Sequence, residues 1–272
     1  MKNISLGQYY PGNSIMHRLD PRMKLILAIL YIVCTFLAKN VLCFAVLFAS
    51  AFLLILLSKI PIKLIINAIK PVLFILAFTV VINIFWTVGD TLIFEWKFIH
   101  IYYEGIMNAL FMVVRIFVLI VGASIFMTYT TTPIALTDAI EQLFSPLKKV
   151  KIPVHEFAMM MTIALRFIPT LVDETEKIMS AQKARGADFS KGSLMKRAKA
   201  LIPILIPLFV SAFRRADDLA TAMECRCYHG GEGRTRMNVL HYKYYDFVAL
   251  ALIVFFGAAI VLVNKLGVGY TM

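Results

Sequence analysis

The sequence has 272 residues, of which 60% are hydrophobic and only 16% are charged, whereas soluble domains carry about a quarter charged residues. This composition excludes an ordinary soluble domain and indicates an integral membrane protein. The net charge of +12 comes from 28 Lys and Arg residues against 16 Asp and Glu residues. Because these charges lie between apolar stretches, a positive-inside membrane topology explains them more simply than nucleic-acid binding.

The apolar stretches predict an all-α membrane protein with about five transmembrane helices. Four of them lie within residues 25–128, after a polar segment at 1–24 whose Lys and Arg residues place the N-terminus in the cytoplasm. The first two are slightly shorter than the roughly 20 residues that span a bilayer, so we expect a tight hairpin that uses flanking residues. Arg115 lies within the fourth stretch and should face protein or water, because a charge in lipid is costly.

A long charged segment at residues 129–243 separates the fourth span from the fifth, which covers 244–264 and is followed by a tail at 265–272. Its charges predict a cytoplasmic domain, and its proline and glycine punctuation predicts three helices. The second and third are long, and they are expected to end at Gly186 and near Tyr228. Internal prolines predict that both are bent: Pro169, Pro203 and Pro207.

Two arginines stand near the ends of these long helices. Arg185 and Arg226 are 41 positions apart, and small residues flank both. The flanking residues are Ala184, Gly186, Cys225 and Cys227. Small neighbours let a partner approach the backbone while the guanidinium makes bidentate contacts with carboxylates. The alternative is that both arginines only complement the negative end of a helix dipole.

Further motifs accompany these arginines along nearly the whole chain. They are Tyr10-Pro11-Gly12-Asn13-Ser14, His17-Arg18-Leu19-Asp20-Pro21-Arg22, Leu165-Arg166-Phe167-Ile168-Pro169, Ala184-Arg185-Gly186, Ala222-Met223-Glu224 and Gly230-Gly231-Glu232-Gly233-Arg234-Thr235. In combination they resemble the EcfT/CbiQ family, the transmembrane coupling components of energy-coupling factor (ECF) transporters, which are related to ABC transporters. The chain resembles the shared-module type, in which one coupler serves several exchangeable substrate-capturing subunits.

The resemblance implies a non-enzymatic scaffold of the cell membrane for vitamin or micronutrient uptake. Its partners would be two cytosolic ABC ATPases of the EcfA type and one substrate-capturing membrane subunit, the S component. In the family, two Ala-Arg-Gly motifs dock into grooves of the ATPases, where the arginines meet acidic residues. The stretch 184–186 matches the first motif in full, whereas only Arg226 matches the second, because Cys225 and Cys227 replace alanine and glycine. Since cysteine is also small, docking should be retained.

The resemblance also implies that ATP and Mg are used by the ATPases, with no cofactor bound directly by this chain. In agreement, the sequence has no GxxxxGK[ST] loop of the kind that cradles phosphates. A Met-rich apolar face on the two long helices is our candidate contact for the S component, since such surfaces can repack around different partners. Intramolecular helix packing is the alternative. The face comprises Met159, Met160, Ile163, Phe167, Leu171, Leu201, Leu205 and Leu208.

Other functions are considered as well. Asp173, Glu174 and Glu176 would be the carboxylates of a membrane-embedded hydrolase or lipid transferase, although a solvated helix face explains them more simply. A stand-alone permease with its own substrate path is a further alternative. A metal site built on Cys225, Cys227, His229 and His241 is disfavoured, because helix positions two apart point to different faces.

Overall fold

The computed structural model describes residues 9–87, 89, 91–96, 99–187, 189, 193–231 and 239–265. These residues are almost entirely helical, which confirms the prediction of an all-α membrane protein. The helices are α1 (Ile15–Arg18), α2 (Pro21–Leu37), α3 (Val41–Ser58), α4 (Ile62–Ile69), α5 (Leu73–Trp86), α6 (Tyr103–Ala123), α7 (Pro133–Leu143), α8 (Val154–Ala184), α9 (Leu194–Cys225) and α10 (Tyr244–Lys265).

The helices pack as two compact units. Described residues within Gly7–Ala139 and Val239–Met272 form one, which we call the span unit, and those within Ile140–Asn238 form the other, the arm unit. The predicted domain boundaries at residues 129 and 243 concern the membrane surface, and they remain a prediction.

Within the described residues, four helical segments are long and apolar enough to cross a membrane: Val41–Ser58, Ile62–Trp86, Tyr103–Tyr129 and Tyr244–Lys265. Helix α2 has 17 residues, in line with the expectation that the first span is short. The third apolar stretch of the sequence, residues 71–88, predicts a span that starts at Pro71, whereas the helix starts earlier in the structure. Because a short 3₁₀ turn at Lys70–Val72 joins α4 to α5, the helical path begins at Ile62 and carries Lys63 and Lys70 with it.

A small antiparallel hairpin precedes the fourth span. Strand β1 (Leu92–Trp96) pairs with β2 (Ile99–Tyr102). The Glu104 carboxylate, in the first turn of α6, accepts hydrogen bonds from the Thr91 hydroxyl at 2.9 Å and from the Thr91 backbone N–H at 3.3 Å. This bond ties the hairpin to the start of α6.

Arg115 is held by protein, as its position within a span required. Its Nη2 donates to the carbonyl oxygen of Ala38 at 3.1 Å, and its guanidinium lies 5.2 Å from the centre of the Phe44 ring. Ala38 is the residue at which α2 ends. The arginine therefore supplies a hydrogen-bond partner for a carbonyl group at the C-terminal end of α2.

A buried polar cluster, which we call the buried anchor, consists of Asp20, Arg22, Lys24 and Asp246. Asp246 is fully buried and accepts from the backbone N–H groups of Asp20 at 2.9 Å and Lys243 at 2.7 Å. Arg22 forms an ion pair with Asp20 at 2.9 Å. The anchor therefore joins the start of α2 to the start of α10.

The same cluster bonds to two further segments of the span unit. Lys24 Nζ donates to the carbonyl oxygen of Thr130 at 2.7 Å, shortly before the chain enters α7. Arg22 Nη2 donates to the carbonyl oxygen of Leu240 at 2.9 Å, shortly after the chain returns. Both carbonyls belong to the span unit, so the cluster ties α2 to the segment after α6 and to the segment before α10.

Replacing Asp246 with alanine tests the anchor. The change leaves the buried Asp20 N–H and the part-buried Lys243 N–H without an acceptor, so we expect the free energy of unfolding to fall by about 2–5 kcal/mol. Thermal unfolding of the detergent-solubilised protein measures this loss. Asp218→Ala, which removes an exposed carboxylate from α9, is the matched control. Equal melting temperatures for the two variants would contradict a stabilising anchor.

Candidate functional site: two arginine tips

The arm unit contains the two long helices predicted from the sequence. Helix α8 has 31 residues and continues through Pro169, and α9 has 32 residues and continues through Pro203 and Pro207. The hydroxyl of Ser193 accepts from the Lys196 N–H at 3.4 Å and caps the start of α9. Each predicted arginine stands at the C-terminal end of one of these helices.

Two contacts show that α8 and α9 are antiparallel. Glu174 on α8 forms an ion pair with Arg215 on α9, at 2.7 Å between Oε2 and Nη2. His155, in the first turn of α8, lies against Gly231, which follows the end of α9. As residue numbers increase along α8, the numbers of the residues that contact them in the second helix and just after it decrease. Arg185 and Arg226 therefore lie at opposite ends of the helix pair.

The first tip, residues 184–186, ends α8 in a Schellman motif. Arg185 is the C-cap residue, and Gly186 has a φ of +87°. The Gly186 N–H donates to the carbonyl of Lys183 at 2.9 Å, and the Ala187 N–H donates to that of Gln182 at 3.0 Å. These bonds satisfy carbonyl groups at the helix end, and they need a residue that tolerates the left-handed region, as glycine does.

The second tip, residues 225–227, repeats this backbone. Arg226 is the C-cap residue of α9, and Cys227 has a φ of +54°. The Cys227 N–H donates to the carbonyl of Glu224 at 2.8 Å, and the Tyr228 N–H donates to that of Met223 at 3.0 Å. The two tips differ in their side chains but share one hydrogen-bond pattern. The substitution of cysteine for glycine at position 227 therefore leaves the motif's geometry intact.

All six tip residues are exposed: Ala184, Arg185, Gly186, Cys225, Arg226 and Cys227. A Cβ atom placed on Gly186 would meet nothing within 4 Å, so the surface beside Arg185 is open. Each guanidinium extends from a rigid helix end with small neighbours, which suits a planar bidentate contact with a carboxylate.

The second tip has an additional support that the sequence did not predict. Gly230 has a φ of +92°, and a Cβ atom at Gly231 would lie 2.5 Å from the His155 ring. His155 Nδ1 in turn lies 2.9 Å from Glu141 Oε1. The two glycines therefore let the chain after Arg226 pass against the base of α8. The partner of His155 is Glu141, 14 positions earlier in the chain, and no local motif in the sequence indicates this pair.

The three carboxylates considered for an enzyme do not share one face of α8. Glu174 pairs with Arg215, whereas Asp173 and Glu176 line a shallow depression together with Lys177. Nor does the part of the chain that the structure describes hold three or more His, Cys, Asp or Glu side chains grouped to bind a metal ion.

The predicted apolar face is partly open. Met160, Leu201 and Leu205 are exposed, and the remaining five candidates are half-buried: Met159, Ile163, Phe167, Leu171 and Leu208. On α9 the exposed apolar stripe extends beyond the face predicted from the sequence. It includes Ile202, Ile206, Phe209 and Phe213, which recur at helical spacing and so lie on one side of α9.

Comparisons with known proteins agree with the motifs. A family model described as CbiQ, cobalt transport protein, matches residues 12–237. The chain is 52% identical over 264 residues to the energy-coupling factor transporter transmembrane protein EcfT of Ruminiclostridium cellulolyticum, covering 97% of this chain and 98% of the relative. It is 53% identical over 258 residues to EcfT of Acidaminococcus fermentans, covering 93% and 96%. For EcfT of Lactococcus lactis subsp. cremoris the identity is 46% over 265 residues, covering 97% and 99%.

Substitutions at the two left-handed positions test the shared backbone. Cys227→Gly removes a strained conformation and should raise the free energy of unfolding by about 1 kcal/mol, whereas Gly186→Ala should lower it by a similar amount. Chemical denaturation of the arm unit within the full chain measures both. Cys225→Ala, within the regular part of α9, is the control and should change stability by less than about 0.5 kcal/mol. Shifts of equal sign for positions 186 and 227 would contradict the shared motif.

Proposed function

Since this chain belongs to the EcfT/CbiQ family and is a multi-pass transmembrane component of an ECF transporter, we propose that it couples two cytosolic ATPases to a substrate-capturing membrane subunit. In this proposal each ATPase receives one arginine tip, and vitamin or micronutrient uptake is driven by ATP hydrolysis on the ATPases. The chain itself has no catalytic role and binds no cofactor directly. ATP and Mg are bound by its partners.

The observation that carries the proposal is the repeated geometry of the tips. Two exposed arginines stand on the same Schellman backbone, at opposite ends of one antiparallel helix pair. Two similar ends separated in this way suit two similar acceptors, as a pair of related ATPases would provide. Acidic grooves are the expected chemistry, because a guanidinium makes its strongest hydrogen bonds to carboxylates.

The two long helices would transmit the motion. When ATP binding brings the ATPases together, the docked tips move with them, and helices of 31 and 32 residues carry this displacement away from the ATPases. The internal prolines remove hydrogen bonds within both helices and give each a place to flex. Movement at the tips thereby reaches the apolar faces of α8 and α9.

The apolar stripe on the long helices is the proposed contact for the S component. Leu201 and Leu205 lie within it, and Phe209 extends it toward the middle of α9. Exposed apolar patches of this kind mark contacts with another protein. Met160 on α8 adds a flexible side chain, which suits a coupler that exchanges one S component for another.

The orientation in the membrane follows from charge. Lys and Arg residues are concentrated in the N-terminal segment and in residues 129–243, so we place both on the cytoplasmic side. With five spans, the tail after α10 lies outside. The ATPases can then reach both tips.

Charge reversal of the tips tests docking. Arg185→Glu and Arg226→Glu each replace an attractive contact with a repulsive one, so each should reduce ATPase copurification at least about tenfold, which corresponds to a loss of about 1.4 kcal/mol or more. Affinity purification from mild detergent, followed by quantification of the ATPases, measures the effect. Arg214→Glu, at an exposed position in the body of α9, is the matched control. Full copurification with the double variant would refute docking through the tips.

The native cysteines provide a second test. Cys225 and Cys227 are exposed, whereas Cys34 and Cys43 are buried. A maleimide should therefore label only the pair beside Arg226 in the purified chain, and bound ATPases should protect that pair at least about tenfold if docking excludes the reagent. Mass spectrometry of the labelled peptides gives the extent of reaction, with Cys34 and Cys43 as internal controls for folding. Equal labelling with and without ATPases would show that this tip is not covered.

A further inference from the structure

The contact between Glu174 and Arg215 lies at the same number of residues from each of the two arginine tips. Arg185 lies 11 residues after Glu174, and Arg226 lies 11 residues after Arg215. Both intervals are helical up to the final residue. At 1.5 Å per residue, each tip therefore stands about 16 Å along its helix from the ion pair.

Because α8 and α9 are antiparallel, these two equal lengths extend in opposite directions. The ion pair thus lies midway between the tips, which are up to about 33 Å apart along the helices. A rotation of one helix against the other about this point would move both tips by the same amount. A contact nearer to one tip would give the two arginines unequal displacements.

The chemistry of the contact suits a fixed point. Apolar packing is not directional, and side chains such as those along α8 and α9 permit more than one register. A charged pair with a 2.7 Å bond between Glu174 Oε2 and Arg215 Nη2 favours one register over its neighbours. Both side chains are only partly exposed, at 21% for Glu174 and 37% for Arg215. Partly exposed pairs add little to stability, whereas a charged contact can fix the register of two helices.

We propose that the Glu174–Arg215 ion pair is the pivot of the arm unit. It is a positioning contact that keeps the two ATPase-docking tips at equal distances from itself and makes them move together. This inference rests on the proposed function for its mechanical consequence. The alignment of α8 and α9 that it predicts can be measured in this chain without its partners. The alignment and the mechanical consequence can therefore be tested separately.

The test uses spin labels at Ser180→Cys and Thr221→Cys, which are exposed positions six residues beyond Glu174 and Arg215. All variants carry C225A/C227G, so that the two new cysteines are the exposed thiols. The chain with these four changes is the parent for the comparison. About 18 Å of helix separates the two labelled positions, within the range of pulsed dipolar spectroscopy. In the full-length chain we expect one narrow distance, which broadens into several in E174Q and in R215Q. The charge-swapped variant E174R/R215E should recover the single distance.

The same distance is then measured in the complex with copurified ATPases, before and after addition of Mg-ATP and vanadate. The native pair should give a single shifted distance, and both neutral variants should lose it while copurifying normally. E176Q and R214Q remove nearby exposed charges from α8 and α9 and should behave as the parent does. If E174Q and R215Q keep the parent's narrow and shifted distances, the pivot is wrong and docking is unaffected. If the swap does not restore what the single variants lose, the pair has no specific role in alignment. If the parent chain copurifies no ATPase, the proposed function fails, and the distances in the chain alone still decide the alignment.

Discussion

The last carbonyl groups of a helix have no partner within the helix. At the C-terminal ends of α8 and α9, backbone hydrogen bonds from the following residues supply partners. The Schellman motif has two such bonds, to Gln182 and Lys183 at one tip and to Met223 and Glu224 at the other. Because the bonds fix the turn after each arginine, the guanidinium starts from a backbone that is already ordered. Less conformational entropy is then lost when a partner binds. The geometry of each tip therefore depends on its backbone hydrogen bonds more than on an exact Ala-Arg-Gly sequence.

The span unit solves the same problem inside its packed interior, where Ala38, Thr130 and Asp246 are buried. Arg115 supplies the partner for the end of α2, and the buried anchor supplies partners for the start of α10 and for the carbonyl of Thr130. A backbone group that is buried in protein without a hydrogen-bond partner costs about 1–3 kcal/mol, and these charged side chains remove that cost. The anchor thus joins α2, the segment after α6 and the start of α10 within the span unit.

Patterns of residue type predicted most of the architecture. Apolar stretches revealed the membrane helices because lipid demands about 20 consecutive apolar residues, and proline and glycine marked the ends of α8 and α9. Contacts distant in sequence were not predictable in this way. Nothing near Glu174 indicates Arg215, and nothing near His155 indicates Glu141 or Gly231. The hairpin β1–β2 and the continuation of the third span back to Ile62 were missed as well, because Lys63 and Lys70 interrupt the apolar pattern that the prediction relied on.

Cys227 shows most clearly why the second tip was harder to identify than the first. A left-handed φ is suggested by glycine at position 186, whereas a cysteine carries no such signal, since non-glycine residues rarely adopt it. The strain of about 1 kcal/mol is offset locally by two hydrogen bonds that close the end of α9. Gly230 and Gly231 then allow the chain to turn back against His155. This contact supports the second tip. The first tip has its glycine inside the motif and the second has its glycines just after it, so similar backbones are reached by different placements of the same flexible residue.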